Sequence, residues 1–503
     1  MTTVRQQTSL DRLVEPHARA TPDRPALVLD GRSVSYGKLA ACVDALAGRM
    51  AEAGLAGERV AMMLPNGPAT VITYLACFAS GAMAAPLNSR YAPPEVERAL
   101  RHARPRWLVV QDERLALLDR VDRGVLDGVR VLVVDSGVAD AVGGTDIGEA
   151  FDPLLAPGPA PGRPQPPAQP AVMFFTSGST GNPKGVVHSH ASALAVLTST
   201  SEALGNVGPA DIAQVCEPQV HVSGFIGTLT TLLGGGTVAL YDGFDLETYA
   251  AGLCRHRPTL VCTHIDLLAQ LVRAPGAERD WFASLRGVYT GGDTVPAALQ
   301  RDFLALAGKP IAVGYGMTEA IWLTVEREPR LDRDGCIGRP VGGAQLRAEP
   351  DTGELLVRGP MLMQGYWDDP ELTRRSLTDG WLHTGDLGEV DADGVWWFRG
   401  RIKELIVRRT SKITPGEVES ALDENPAVAM SAVVAAPDEQ QGQVPVAFVV
   451  PRRGQHVTAA ELVDFLAERI ARYKIPARFH FLDALPLTAS GKIAHKELRE
   501  PAG

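Results

Sequence analysis

The sequence predicts an α/β protein in two unequal parts: a large N-terminal domain of layered α/β sheets with a β-rich subdomain, then a small C-terminal α+β domain. Three observations carry this. The 503-residue chain is longer than one ordinary hydrophobic core organises. Helical and strand-like apolar patterns alternate from Ser35 to Asn88, as they do where helices cover a parallel sheet. The pattern breaks at Gly400 to Lys403, and the chain beyond is enough for a domain of about 100 residues. Residues 1–400 and 401–503 are the two domains this break predicts.

Taken in order, helical spacing runs near Tyr36 to Ala53, a strand over Arg59 to Leu64, a helix near Pro68 to Ser80 and a strand over Ala82 to Leu87. The apolar run from Val71 to Leu87 is interrupted by Ser80, Gly81 and Pro86. It falls short of a bilayer span and reads as a buried helix feeding a buried strand. Arg106 to Gln111 and Val129 to Asp135 are apolar on both faces, the pattern of strands covered on each side. Eight prolines fall within the nineteen residues from Asp152 to Pro170, which predicts an extended surface connector without helix or sheet. It delivers the chain to a strand, Ala171 to Thr176, that runs straight into a glycine-rich loop. Beyond Lys403 the order reads helix, strand, strand, helix.

Composition narrows the function. A formal charge of −10 excludes a general nucleic-acid binder, which needs a basic face. The six cysteines (Cys42, Cys77, Cys216, Cys254, Cys262, Cys336) form neither a C-x-x-C pair nor a zinc spacing, and read as reduced thiols. The first 25 residues hold no apolar stretch of signal-peptide type. The expectation is a cytoplasmic enzyme with no membrane insertion.

The chemistry begins at Thr176, Ser177, Gly178, Ser179, Thr180 and, after Gly-Asn-Pro, Lys184. Small hydroxyl residues and glycines after a strand let backbone N–H groups and hydroxyls fold around phosphate oxygens, with Lys184 supplying charge. The loop is not a Walker A sequence, because no G-K-[ST] closes it. Three further segments follow: Gly314, Tyr315, Gly316, Met317, Thr318, Glu319; then Trp381-Leu-His-Thr-Gly-Asp386; then Gly400, Arg401, Ile402, Lys403, Glu404. Near the end stands Leu487-Thr-Ala-Ser-Gly-Lys492.

In this order, from about Thr21 to Leu498, these segments resemble the adenylate-forming superfamily of acyl- and aryl-CoA ligases, peptide-synthetase adenylation domains and firefly luciferase. The resemblance implies ATP and Mg²⁺ as cofactors and a C-terminal domain that is mobile. It places the β- and γ-phosphates on the Thr176–Lys184 loop, adenine against Tyr315, the α-phosphate at Thr318 and Mg²⁺ at Glu319, a hard cation suited to carboxylate oxygens. Asp386 would accept from both ribose hydroxyls, with Arg401 as a second ribose contact. Gly291, Gly292 and Asp293 match the turn beside the adenine edge and the acid pocket. Lys492 matches the lysine that reaches the site in the first half-reaction, where a fixed cation lowers the barrier between an attacking carboxylate and the α-phosphate. Lys403 matches the hinge about which the small domain turns.

The acid pocket is implied to include His221, Val222, Ser223, His264, Tyr289, Gly291 and Trp322, with His221 a candidate for a direct part in catalysis. Amino-acid-activating relatives place an aspartate near position 221, so a histidine there disfavours an α-amino acid. Trp322 suits a planar, aromatic or cinnamate-like acid. The second half-reaction is more open. Relatives that use CoA carry glycine in the loop where this chain has Arg409 and Thr410, and a β-branched threonine replaces glycine poorly where φ is positive or a ligand passes close. The expected acceptor is CoA or a carrier-protein thiol. The alternative is an ATP-dependent diazotase that activates nitrite for an aromatic amine. The cations Arg401, Lys403, Arg408, Arg409 and Lys412 offer a further reading as one basic surface for CoA phosphates or an acidic carrier.

Overall fold

The computed structural model describes residues 9–88, 91–135, 149–156, 164–177, 183–328, 330–331, 334–408, 411–438, 441–487, 493–495 and 497–498. The early elements fall where the apolar spacing puts them: helices Tyr36–Glu52 and Pro68–Ser80, strands Arg59–Met63 and Met83–Pro86, then Trp107–Gln111 and Arg130–Val134. Ser35 caps the first helix by accepting from the Lys38 N–H, and Pro68 opens the second, where its missing N–H costs nothing. Gly81, at φ +77°, ends that helix in the left-handed conformation that glycine adopts without strain.

Two sheets sandwich helices. One holds the parallel strands Met83–Pro86, Arg59–Met63, Trp107–Gln111 and Arg130–Val134, with Pro170–Ser177 parallel to the first and Pro183–Ser189 returning antiparallel to it. The other runs in parallel through Thr237–Leu240, Ile212–Val215, Leu260–Cys262, Gly287–Gly291 and Ile311–Met317. A single hydrophobic cluster joins them, with Met62 and Phe174 from the first sheet, Val238 and Leu240 from the second, and Tyr74, Phe78, Phe225 and Leu229 from the helices between. The β-rich subdomain continues the second sheet: Ala320–Glu326 and Cys336–Pro340 turn antiparallel and carry Trp396–Arg401 and Trp381–Val390.

A third, five-stranded sheet is built from Ile406–Arg408, Ser411–Ile413, Val428–Asp438, Gly442–Pro451 and Arg478–Phe481, with helices Pro415–Asp423 and Ala459–Ala467 against it. The expected helix–strand–strand–helix order is present but incomplete. It missed the short antiparallel pair Ile406–Arg408 and Ser411–Ile413 and the last strand, Arg478–Phe481, which joins in parallel beside Gly442–Pro451. Three- and four-residue strands carry too little pattern to read from sequence. The proline-rich connector also needs correction at both described ends. Asp152–Leu155 forms a 3₁₀ turn, and the Gln165 side chain donates to the Ala79 carbonyl at 3.2 Å, so this stretch packs on the helix pair. No helix among the described residues is long and apolar enough to cross a membrane.

Candidate active site

Loops beyond the C-terminal ends of parallel strands form the natural crevice of an open α/β sheet. Four strands of the second sheet end on the same side and lead into the residues singled out by sequence. Ile212–Val215 leads to His221, Leu260–Cys262 to His264, Gly287–Gly291 to Gly292 and Asp293, and Ile311–Met317 to Thr318 and Glu319. The topology alone therefore collects them.

The antiparallel strands on either side of the loop expected to bind phosphate reach this edge from the first sheet, with Thr176 paired to Lys184. Burial pushes the His188 imidazole down to about 4, so the ring is neutral and its Nε2–H donates to the Thr318 carbonyl at 2.8 Å. Residues 363–367 complete the bridge. The Met363 N–H donates to the Glu319 carbonyl at 2.8 Å, and the Trp367 N–H to the Gly185 carbonyl at 2.7 Å. Tyr366, which pairs with Val186, donates its hydroxyl to Glu319 Oε1 at 2.8 Å and places its ring 5.7 Å from Lys184 Nζ. Burial and then the Glu319 charge hold that hydroxyl protonated. The cation and the carboxylate expected around the phosphates thus share one aromatic platform.

Among the residues that the resemblance assigns to the nucleoside, Asp386 stands directly across the ladder from Arg401. Asp386 is 4% exposed; Tyr315 donates to its Oδ2 at 2.7 Å and Arg401 Nε to its Oδ1 at 3.2 Å. Burial pushes the Asp386 carboxyl above the usual range, and Arg401 and Tyr315 offset only part of that. Tyr315 and Arg401 therefore already hold the two oxygens that the resemblance assigns to ribose, and a nucleotide would have to share them.

The region that the resemblance assigns to the acid is partly made of glycine. Gly291 and Gly314 face each other across adjacent strands, and a Cβ on Gly291 would stand 2.4 Å from the Gly314 carbonyl oxygen. Trp322 covers Gly314, with Cζ2 only 2.9 Å from where a Gly314 Cβ would be, and its own backbone is left-handed at φ +53°. Gly316 is equally confined, since a Cβ there would meet the Trp322 backbone nitrogen at 2.5 Å. His221 precedes helix Val222–Leu233, whose first turn supplies Val222 and Ser223, and all three are half-buried. Tyr289 turns its hydroxyl back towards Gly287 and Gly205, away from the Gly291 end of its strand.

Sequence reasoning passed over two residues here, Tyr366 and Glu217. Glu217 is buried and accepts from His264 Nε2 at 2.9 Å, from the His264 backbone N–H at 3.0 Å and from the Thr263 hydroxyl at 2.9 Å. Burial alone would raise its carboxyl, but the His264 ring and these donors pull it below the usual range. An acid following an apolar strand (Ile212–Val215, Cys216) was the available signal. Tyr366 was signalled by the aromatic pair after Gly365.

Lys403 is exposed in the 3₁₀ turn Ile402–Glu404. Arg408 is half-buried and donates to Gln441 Oε1 at 2.7 Å and to the Tyr473 carbonyl at 2.6 Å, while Arg409 and the Lys412 side chain of the same basic cluster lie outside the described residues. Gly178, Ser179, Thr180, Arg409, Thr410 and Lys492 lie outside the described residues; Ser177 ends its strand just before the loop. Among the described residues no three His, Cys, Asp or Glu side chains cluster as a metal cage. A single carboxylate such as Glu319 fits Mg²⁺ held mainly by phosphates and water.

Residues 14–367 match the AMP-binding enzyme family, and residues 417–492 match the AMP-binding enzyme C-terminal domain. The chain is 33% identical to an indoleacetate–CoA ligase of Aromatoleum aromaticum, over 98% of both chains. It is 34% identical to a feruloyl-CoA synthase of an Amycolatopsis species, over 97% of both. A solved anthranilate CoA ligase in complex with anthranoyl-AMP superimposes with a TM-score of 0.87 at 25% identity, covering 97% of this chain and 95% of that one. The chain belongs to the AMP-binding, adenylate-forming enzyme family.

Proposed function

We propose that the protein is an ATP-dependent ligase that activates an aromatic or cinnamate-like acid as its acyl-adenylate and passes the acyl group to the thiol of CoA. The observation that carries this is the convergence of Lys184, Tyr366 and Glu319 beside the Asp386–Tyr315–Arg401 group. Phosphate and nucleoside chemistry meet there at the end of one sheet. The acids named for the relatives, indoleacetate, ferulate and anthranilate, support an aromatic substrate.

A carboxylate oxygen of the acid attacks the α-phosphorus, the bond to the β-phosphate oxygen breaks, and pyrophosphate leaves. Lys184 and the preceding loop bind the leaving phosphates, and Thr318 meets the α-phosphate. Asp386, Arg401 and Tyr315 orient ribose and adenine. Glu319, oriented by Tyr366, would hold Mg²⁺, which supplies charge neutralisation to the phosphates when bound. Lys492 approaches the α-phosphate as negative charge gathers there. The thiol sulfur then attacks the acyl carbon, losing its proton to solvent or a nearby base, and AMP departs. Residues 401–503 turn about Lys403 between the two steps, as a short exposed segment allows. ATP and CoA are cytoplasmic reactants, and we place the enzyme with them.

The deciding experiment measures pyrophosphate release across a panel of aromatic acids, run with CoA, with a phosphopantetheinylated carrier protein, with nitrite plus an aromatic amine, and with neither acceptor. Acid-dependent pyrophosphate and a CoA-dependent thioester are expected. AMP formation only with nitrite would replace this reading with the diazotase. Lys492→Ala is expected to slow acid-dependent pyrophosphate release by about 10²–10³-fold, and an unchanged rate would remove Lys492 from the first step.

A further inference from the structure

The strand that carries Asp386, Trp381–Val390, does not run evenly beside its neighbour Glu354–Arg358. Leu356 pairs with His383, but Glu354 pairs with Leu387. Thr384, Gly385 and Asp386 therefore span a stretch that Leu355 alone spans on the other strand, and the longer strand bulges. Bulges beside functional sites re-aim a side chain that a regular ladder would point elsewhere. Here that side chain is Asp386, which the bulge delivers to Tyr315 and Arg401. Gly385 makes the bend at φ +74°, in the left-handed region.

Extra residues in one strand leave backbone groups without ladder partners, and two side chains supply them. Thr384 donates its hydroxyl to the Leu355 carbonyl at 2.6 Å and accepts from the Asp386 N–H at 3.0 Å. That is one tie to the opposite strand, and one tie is a pivot. Glu354 grips either side of it: Oε1 accepts from the Gly385 N–H at 3.0 Å and Oε2 from His383 Nδ1 at 3.0 Å. The His383 pair alone would be worth little, because that ring is 37% exposed. The bond from a charged oxygen to the backbone of the bulge is the stronger one. Since Tyr315 and Arg401 each take one oxygen of Asp386, ribose hydroxyls must use the remaining lone pairs, whose direction follows that backbone.

We infer that Glu354 is a positioning residue: by closing the bulge it sets the direction in which Asp386 accepts the ribose hydroxyls, without touching the nucleotide itself. This rests on the reading of Asp386 as the ribose acceptor and names the residue that aims it.

The test is calorimetric binding of ATP, 2′-deoxyATP and 3′-deoxyATP, each with Mg²⁺, to the full-length protein, so that neither acid nor acceptor enters. Wild type is expected to bind ATP about tenfold or more tightly than either analogue, because a missing hydroxyl strands its acceptor. Glu354→Met keeps the length of the side chain but removes both oxygens. It should weaken ATP by about tenfold and the deoxy analogues by less than about threefold, bringing the ratio near one. Glu354→Gln, whose amide oxygen still accepts from Gly385, should recover most of the ratio. If Glu354→Met does not fold, Glu354→Asp, one methylene short of spanning the bulge, should lower the ratio by about threefold or more. Equal weakening of all three nucleotides would make Glu354 structural only, and an unchanged ratio would mean that it does not aim Asp386; either result overturns the inference. Equal binding of the three by wild type would remove Asp386 from ribose, and this inference with it, while leaving the acid–CoA reading intact. No ATP binding at all would bring down both.

Discussion

At the scale of single residues, the site is held by hydrogen bonds between side chains far apart in sequence. Tyr366 orients Glu319 from the first sheet's edge strand, so its hydroxyl acts on any cation there only through the carboxylate. Removing a partner that orients a ligand typically weakens metal binding without removing the ligand. Tyr366→Phe is therefore expected to raise the Mg²⁺ concentration for half-maximal pyrophosphate release on the order of tenfold, with the acid KM little changed. A Mg²⁺ titration that matches wild type would show that Glu319 needs no such support. Neither this contact nor the Glu217–His264 pair follows any local pattern. Both depend on which strand ends the fold sets side by side.

At the scale of elements, two places near the third sheet constrain what the chain can carry. Gly400 has φ +120°, and a Cβ there would stand 2.1 Å from Thr414 Cγ2, the residue that caps helix Pro415–Asp423. Gly400→Ala is expected to destabilise the protein by about 1–3 kcal/mol in chemical denaturation. Adding Thr414→Ser removes the methyl group but not the backbone penalty, so it should restore only part of the loss. Full restoration would mean that φ contributes nothing. At the end of the same helix, Asp423 turns its carboxyl inward onto the Ser431 hydroxyl at 2.8 Å. Burial, with Glu419 and Asp334 adding to it, pushes that carboxyl up to about 8 from an ordinary 3.8. Between those values the folded state holds a proton that the unfolded state has released, so stability falls as pH rises through this window. Asp423→Asn keeps a partner for Ser431 and is expected to flatten the pH dependence of the thermal midpoint between about pH 5 and 8. A slope that survives the substitution would assign it to another group.

At the scale of the whole molecule, the third sheet follows one exposed turn, Ile402–Glu404, and the proposed change of face would turn there while helix Pro415–Asp423 leaves its contacts with Gly400 and Asp334. Lys403 lies at the centre of that turn, in a 3₁₀ geometry that proline's fixed φ can adopt. Lys403→Pro should therefore keep this arrangement and resist departure from it. Pyrophosphate release is expected to stay within about threefold of wild type, while thioester formation from preformed acyl-adenylate slows by about tenfold or more. Equal effects on both steps would mean that the turn is not the pivot.

Much of this is legible in the sequence. The alternation from Ser35 to Asn88, the strand into the Thr176–Lys184 loop and the ordered segments around Glu319, Asp386 and Arg401 identify the layered fold and the nucleotide chemistry. They are legible because strand and helix periodicity, glycine freedom and the charge of a side chain are local properties. The sequence alone thus determined which residue types are available and in what order they arrive. Tertiary structure decided their partners. It put Tyr315 and Arg401 on Asp386, turned Tyr289 away from the Gly291 end, tied Arg408 into the third sheet, and laid Trp322 over Gly314 in a left-handed backbone. Such pairings join residues across strands and sheets, where contact is set by packing rather than by spacing along the chain, and no periodicity in the sequence records them.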